Sequence, residues 1–310
     1  MNFQWKIILA FSAIYIIWGS TYLAILFVIE DIPPLLMSGL RFLVAGIILY
    51  GWCLWKGEKI PDYSSFLKNS VCGILMLFGG TGAVAWSEQY ISSGLAAVIV
   101  TTEPFWFILL DKKKWSFYFS NKLIILGLLL GFAGVLLLIS VDPNLSSGNV
   151  DNSKTVLGVV VIIAGGIAWA AGSLFSKYKP TGNSLLMNAA VQLIVAGLFS
   201  FIVSVFSGET RHFDFTAVQT KAWLALLYLV IAGSLITYLC YLWLLKVRPA
   251  AQVSSYVYVN PVVAVLLGAI FVGEKISPLQ VIALMIILSG VLLVNMTNYK
   301  TINKPQLSTT

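Results

Sequence analysis

Three polar residues interrupt long apolar runs: Glu103 in IVTTEPFWFILL (Ile99–Leu110), Arg41 in PPLLMSGLRFLVAG (Pro33–Gly46) and Asn260 in SYVYVNPVVAVLLG (Ser255–Gly268). A charged side chain in hydrocarbon costs at least about 2.5–3.5 kcal/mol on insertion scales, so Glu103 must face protein groups or a wet space. Three roles are open to it. It can bind a cationic group of a solute, carry a coupling proton, or form a static ion pair with Arg41 that fixes helix positions. Arg41 could also be satisfied by carbonyls or reach outward along its stem. Pro104 and Pro261 directly follow Glu103 and Asn260. Each lacks an N–H and frees a carbonyl one turn earlier, which marks both as expected helix breaks beside a binding region.

Other chemistries find few residues to perform them. His212 is the sole histidine, and Cys53, Cys72 and Cys240 form no CxxC pair, so no metal site, disulfide framework or cofactor is expected. No P-loop is present, which excludes ATP as a direct driver. A membrane enzyme would need paired carboxylates or a nucleophile with its base, and Glu103 alone is acidic at depth. No catalytic residue is assigned.

The chain of 310 residues is 59% hydrophobic and 10% charged, outside the range of soluble domains. Ten apolar segments long enough to span a bilayer are expected at 5–28, 33–55, 68–88, 92–111, 121–140, 155–177, 183–206, 219–245, 250–272 and 278–297. Runs such as Leu123–Ile139 are apolar on every face, which favours helices over a barrel. The first segment is too long for a signal-peptide core and is expected to remain as a helix. Counted at about 1.5 Å per residue, Glu103 lies about 16 Å deep from Ser92, Arg41 about 12 Å from Pro33 and Asn260 about 15 Å from Ala250.

Basic residues sort into alternate loops. Lys6, Lys56, Lys59, Lys68, Lys112, Lys113, Lys114, Lys122, Lys177, Lys179, Lys246, Arg248, Lys300 and Lys304 share one side, and Glu30, Asp31, Glu88, Asp142, Asp151, Glu209, Asp214 and Glu274 make the other acidic. The excess of lysine and arginine marks the cytoplasmic side, which puts both termini inside. The net charge of +7 is therefore spread over short juxtamembrane loops, with no stripe suited to nucleic acid.

The chain also repeats itself. Glu103-Pro104 is answered by Asn260-Pro261 157 residues later, GVLLL (Gly134–Leu138) by GVLLV (Gly290–Val294) after 156, and WGS (Trp18–Ser20) loosely by AGS (Ala171–Ser173) after 153. These suggest two five-helix units, 1–142 and 155–297, followed by a cytoplasmic tail at 298–310. Five crossings invert the second unit relative to the first, the arrangement used by secondary transporters. Around the expected midplane site, Trp18 and Tyr22 share one face of the first helix, and Trp169 and Ser173 one face of the sixth. Tyr238, Tyr241, Tyr256 and Tyr258 add hydroxyls, although packing explains each aromatic equally well. Trp5, Trp52, Trp55 and Trp115 suit interfaces. Gly127 and Gly131 form a GxxxG packing face.

Together with YIIWGSTYLAI (Tyr15–Ile25) and SSGLAAVIV (Ser92–Val100), the runs quoted around Arg41 and Asn260 resemble the EamA-type transporters of the drug/metabolite transporter superfamily, above all the YedA-type bacterial inner-membrane exporters. The resemblance covers nearly the whole chain. It implies an all-α membrane protein of ten transmembrane helices in a 5+5 inverted repeat, termini cytoplasmic, in the bacterial inner membrane. It also implies a central cavity for small organic solutes such as amino acids, metabolites or drug-like compounds, exported by alternating access. Candidate binding residues are Trp18, Tyr22, Arg41, Glu103, Trp169, Tyr238, Tyr258 and Asn260. Partners are then the small-molecule substrate, the lipid bilayer and, if Glu103 titrates, protons; monomer and homodimer are both compatible. One position departs from the pattern: similar proteins commonly carry a neutral residue before the proline of the fourth helix, and here it is Glu103. A passive channel, or a polytopic membrane enzyme, is the alternative reading.

Overall fold

The computed structural model describes residues 2–91, 96, 99–140, 152–211, 213–267, 270 and 277–296. The stretch expected to join the two halves lies outside them as far as 151, as do His212 and the expected tail. All regular elements among the described residues are helices. They are α1 (Phe3–Ile29), α2 (Pro34–Trp55), α3 (Tyr63–Ser87), α4 (Glu103–Leu110), α5 (Trp115–Ser120), α6 (Lys122–Ser140), α7 (Asn152–Tyr178), α8 (Leu185–Ser207), α9 (Thr220–Val247), α10 (Ala250–Val253), α11 (Tyr256–Leu267) and α12 (Pro278–Met296).

Local signals set several boundaries. Pro33-Pro34 starts α2, where a missing N–H costs nothing. The Ser184 side chain caps α8 by accepting from the Met187 N–H at 3.0 Å, and Gly208 ends that helix at φ +84°. The first N–H groups of α2 are met by Glu209, which accepts from Leu36 N at 3.0 Å while its Oε2 also takes the Ser204 hydroxyl at 2.7 Å.

Packing is by glycine-lined seams. Along α2 and α8, a Cβ added at Gly46 would lie 2.8 Å from Ile194 N, and one at Gly197 would lie 2.6 Å from Leu43 N. Along α6 and α12, a Cβ at Gly127 would lie 2.6 Å from the Gly290 carbonyl. Backbones approach this closely only without side chains between them, the usual route to tight helix contact in lipid. The paired elements, α2 with α8 and α6 with α12, hold corresponding places in the two sequence repeats. Both α3 and α9 carry a π-helical middle, Ile74–Gly82 and Leu229–Ile236, starting 155 residues apart. Large apolar side chains such as Ile16, Ile47, Leu129, Leu224 and Met285 are exposed on the outside of the bundle, as a hydrocarbon solvent permits.

Among the described residues, seven helices are long and apolar enough to cross a membrane: α1, α2, α3, α7, α8, α9 and α12. An eighth span arises if Lys112–Ser120 and Lys122–Leu138, bent by 90°, count as one. The bend falls at Asn121, whose Oδ1 accepts from Leu123 N at 3.2 Å. The expected fourth and ninth spans are interrupted. In the fourth, a turn at Thr101-Thr102 precedes α4, with the Thr102 hydroxyl donating back to the Ile99 carbonyl at 2.6 Å. In the ninth, a turn at Ser254-Ser255 separates α10 from α11, with the Ser255 hydroxyl donating to the Gln252 carbonyl at 2.7 Å. Pro261, expected to mark that break, lies inside α11 instead. Paired hydroxyl residues returning hydrogen bonds to carbonyls one turn back compete with the helix ladder, and here they, not the proline, locate the break.

Candidate functional site

The two π segments shape a central cavity. A Cβ on Gly80 would lie 2.8 Å from the Trp169 ring, and one on Gly233, 153 residues later, 2.6 Å from Arg41 Nη2. Each π segment thus offers a bare backbone at which one large side chain of the cavity wall seats. The cavity encloses about 840 Å³ of empty space, counting the part open to solvent, and draws on α1, α2, α3, α4, α7, α8, α9 and α11.

Arg41 and Glu103 both face this space and both are buried, 5% and 7% exposed. Among the described residues they form no ion pair, so the static strut considered from sequence is not what holds either of them. Arg41 donates through Nε to the Ser234 hydroxyl at 2.7 Å, with its guanidinium 5.3 Å from the Phe42 ring centre. Glu103 accepts from the Tyr256 hydroxyl at 2.9 Å through Oε2. Glu103 and Arg41 thus border a shared space, each held by a neutral hydroxyl.

Aromatic rings form the wall beside Glu103. Trp18 packs against Tyr256, Tyr241 and Trp169 with centroids 4.8, 5.2 and 5.8 Å apart, and its indole N–H donates to the Gly233 carbonyl at 3.1 Å. Tyr241 shares a 2.7 Å hydrogen bond with Ser173. The Asn260 side chain lies beside the Tyr22 hydroxyl, and its buried Oδ1 has no hydrogen-bond partner among the described residues. Buried acceptors are rarely left unmade, so Asn260 is a contact offered to the cavity. Glu88, just past the end of α3, also lines it.

Of the residues expected to bind substrate, the structure brings together Trp18, Tyr22, Arg41, Glu103, Trp169, Tyr238 and Asn260. Tyr258 is the exception. It is fully buried, its ring lies against Gly131, and its hydroxyl lacks a partner among the described residues. Two positions from Tyr256 on a helix is the opposite face, and that face packs on α6. Gly127 and Gly131 lie in the seam with α12, away from the cavity, and Pro104 is buried in the first turn of α4 next to Glu103. Sequence reasoning missed Tyr256 as the carboxylate's partner, although it stands four residues before Asn260 and so shares its face. It also missed Ser234, Thr21 and the rim position of Glu88. A further omission is a buried polar chain beneath the cavity: Tyr238 donates to Gln192 at 2.5 Å, Gln192 to Asn69 at 2.8 Å and Asn69 to Asn188 at 2.8 Å. The signal for it was available, since Asn69 and Gln192 are amides inside apolar spans.

A family model described as the EamA-like transporter family matches residues 4–140 and again 156–296. The "Uncharacterized inner membrane transporter YedA" of Escherichia coli (strain K12) is 37% identical over 300 residues, covering 96% of this chain and 92% of its own. The "Uncharacterized transporter YoaV" of Bacillus subtilis (strain 168) is 24% identical over 295 residues, 92% of this chain and 95% of its own. One crystal structure of a protein shares the fold at a TM-score of 0.76 with 19% identity, covering 95% of this chain and 98% of that one. With one family model recurring in both halves and a 37% identical relative matched almost end to end, this chain belongs to the EamA-like transporter family of membrane transporters.

Proposed function

We propose that this chain is a secondary carrier that exports small zwitterionic solutes of amino-acid, metabolite or drug-like size across a bacterial inner membrane by alternating access. The observation that carries this reading is the cavity with Arg41 and Glu103 on its wall and no ion pair between them. A monocation would leave the Arg41 guanidinium uncompensated, and a monoanion would meet the carboxyl groups of Glu103 and Glu88. A solute bearing both charges answers both, and the aromatic wall beside Glu103 adds cation–π attraction for its ammonium group.

Carrier action draws support from the duplicated sequence and from the matched π segments, which suit two equal halves rocking about one site. In this reading 1–142 and 155–297 are inverted five-helix units, ten spans cross the membrane, and both termini are cytoplasmic. The fourth and ninth spans are the broken ones. Glu103 doubles as the candidate proton site: when it holds a proton it no longer attracts an amine, which couples release to protonation.

The test is thermal melting of the purified protein in lipid nanodiscs with a zwitterionic panel, its amidated cations and its deaminated anions. Stabilisation by zwitterions above both analogue sets is expected. Glu103→Gln is expected to erase the preference for the amine and Arg41→Gln the preference for the carboxylate. Equal stabilisation by all three sets would contradict the reading.

A further inference from the structure

A second, larger space opens at the other end of the bundle. It lies between α3, α7, α8 and α9, encloses about 1300 Å³ including the part open to solvent, and shares Gln192 with the polar chain under the central cavity. Phe3 at the start of α1 packs on Trp243 near the end of α9, with centroids 6.0 Å apart, so this is the end that holds the N-terminus. Its cationic lining comprises Lys68, Lys114, Lys177, Lys179, Lys246 and Arg248, and among the described residues no carboxylate lines it.

Asp111 touches this lining through Tyr178, accepting from Tyr118 at 2.8 Å and from Tyr178 at 2.6 Å; these donors are neutral, so its single negative charge offsets only one of the six cations. Lys177 is directed to the end of α9, donating to the Leu245 carbonyl and to that of Arg248 at 2.6 Å. Asn188 adds neutral donors: its Oδ1 accepts from both Asn69 and Thr181, at 2.8 and 2.7 Å, which fixes the amide orientation and leaves Nδ2 without a protein acceptor among the described residues.

A topogenic excess of lysine needs only to lie near the helix ends, as Lys56 and Lys59 do, and has no reason to converge on one cavity. Converging like charges repel, and the repulsion is least screened where the walls are protein. We propose that this vestibule binds a phosphoryl oxyanion, held by the Lys246, Arg248 and Lys68 cations with the Asn188 amide as a directional donor. The group can arrive on a soluble phosphate compound or as the headgroup of an anionic phospholipid. An anion there would sit against the same amides that close the floor of the central cavity.

The test is calorimetric titration of inorganic pyrophosphate into the protein in phosphatidylcholine nanodiscs, beside native mass spectrometry of protein carrying phosphatidylglycerol. The expected result is saturable binding of one pyrophosphate. It should weaken tenfold or more in Lys246→Gln/Arg248→Gln and stay unchanged in Lys56→Gln/Lys59→Gln, which removes the same charge outside the vestibule. If the double variant does not fold, Lys246→Gln alone, at an exposed side chain, is expected to show the same direction of change. Phosphatidylglycerol retained by the wild type and displacing pyrophosphate would identify the lipid source; pyrophosphate binding untouched by that lipid would identify the soluble one. Absence of binding by both probes, or equal weakening in the two double variants, would overturn the proposal.

Discussion

Holding Glu103 and Arg41 on one cavity wall without joining them leaves two desolvated ionisable groups, each supported by a single hydroxyl. Hydrogen bonds to charged groups are worth about 1.5–3 kcal/mol, so those hydroxyls matter more than their neutrality suggests. Tyr256→Phe is expected to weaken solute binding about tenfold or more, measured as the half-saturating concentration in a melting or transport assay. Tyr258→Phe, two residues on, is expected to leave transport unchanged and stability unchanged or raised, because its buried hydroxyl has no partner to lose. A transport defect in Tyr258→Phe with none in Tyr256→Phe would reverse the assignment of faces along α11. The polar residues of the cavity were legible because charges are so rare in apolar runs. Facing was harder to read, since an apolar helix gives little periodicity, and only the four-residue spacing to Asn260 separates Tyr256 from Tyr258.

The helices form because hydrocarbon leaves the backbone no other way to satisfy itself, and that constraint made most spans readable to within a few residues. Breaks inside spans were harder to read. Pro104 stands in the first turn of α4, directly after the Thr101-Thr102 break, whereas Pro261 lies inside α11 and Ser254-Ser255 make the turn there; the π segments of α3 and α9 carry no proline at all. Glycine at Gly80 and Gly233 serves a close approach that only the assembled bundle reveals. At this scale the α6–α12 seam is an exacting contact. Gly290→Leu drives a side chain into the Gly127 carbonyl, and overpacking of this kind costs about 1–3 kcal/mol or more. A clearly lowered melting temperature is expected in nanodiscs, with the same substitution at Gly51, where an added Cβ meets nothing within 4 Å, close to neutral.

Across the whole molecule, charge is sorted by end. Lys68, Lys246 and Arg248 surround the vestibule near the start of α1, whereas Asp31 accepts from Gln219 N at 2.9 Å and Glu30 pairs with Lys221 at 3.8 Å at the opposite end. The loop charges allowed this sorting to be read before any coordinates, because insertion acts on exactly those residues. The vestibule could not be read, since it arises only when the ends of four helices converge. If the basic end is cytoplasmic, Lys59→Cys in a background lacking Cys53, Cys72 and Cys240 is expected to react with a membrane-impermeant maleimide only in inverted vesicles. Thr216→Cys is expected to react only in intact cells, and the reverse pattern would turn the molecule over.

The central claim is that one cavity, with Arg41 and Glu103 on its wall, carries a zwitterion through an alternating cycle. Counterflow in proteoliposomes loaded with unlabelled zwitterion and given labelled zwitterion outside tests it most directly, run on the wild type, Glu103→Gln and Arg41→Gln at several pH values. The account predicts saturable, transient accumulation of label by the wild type and its loss or about tenfold weakening in both variants. Flux that never saturates, shows no overshoot and is unaffected by either substitution would contradict it.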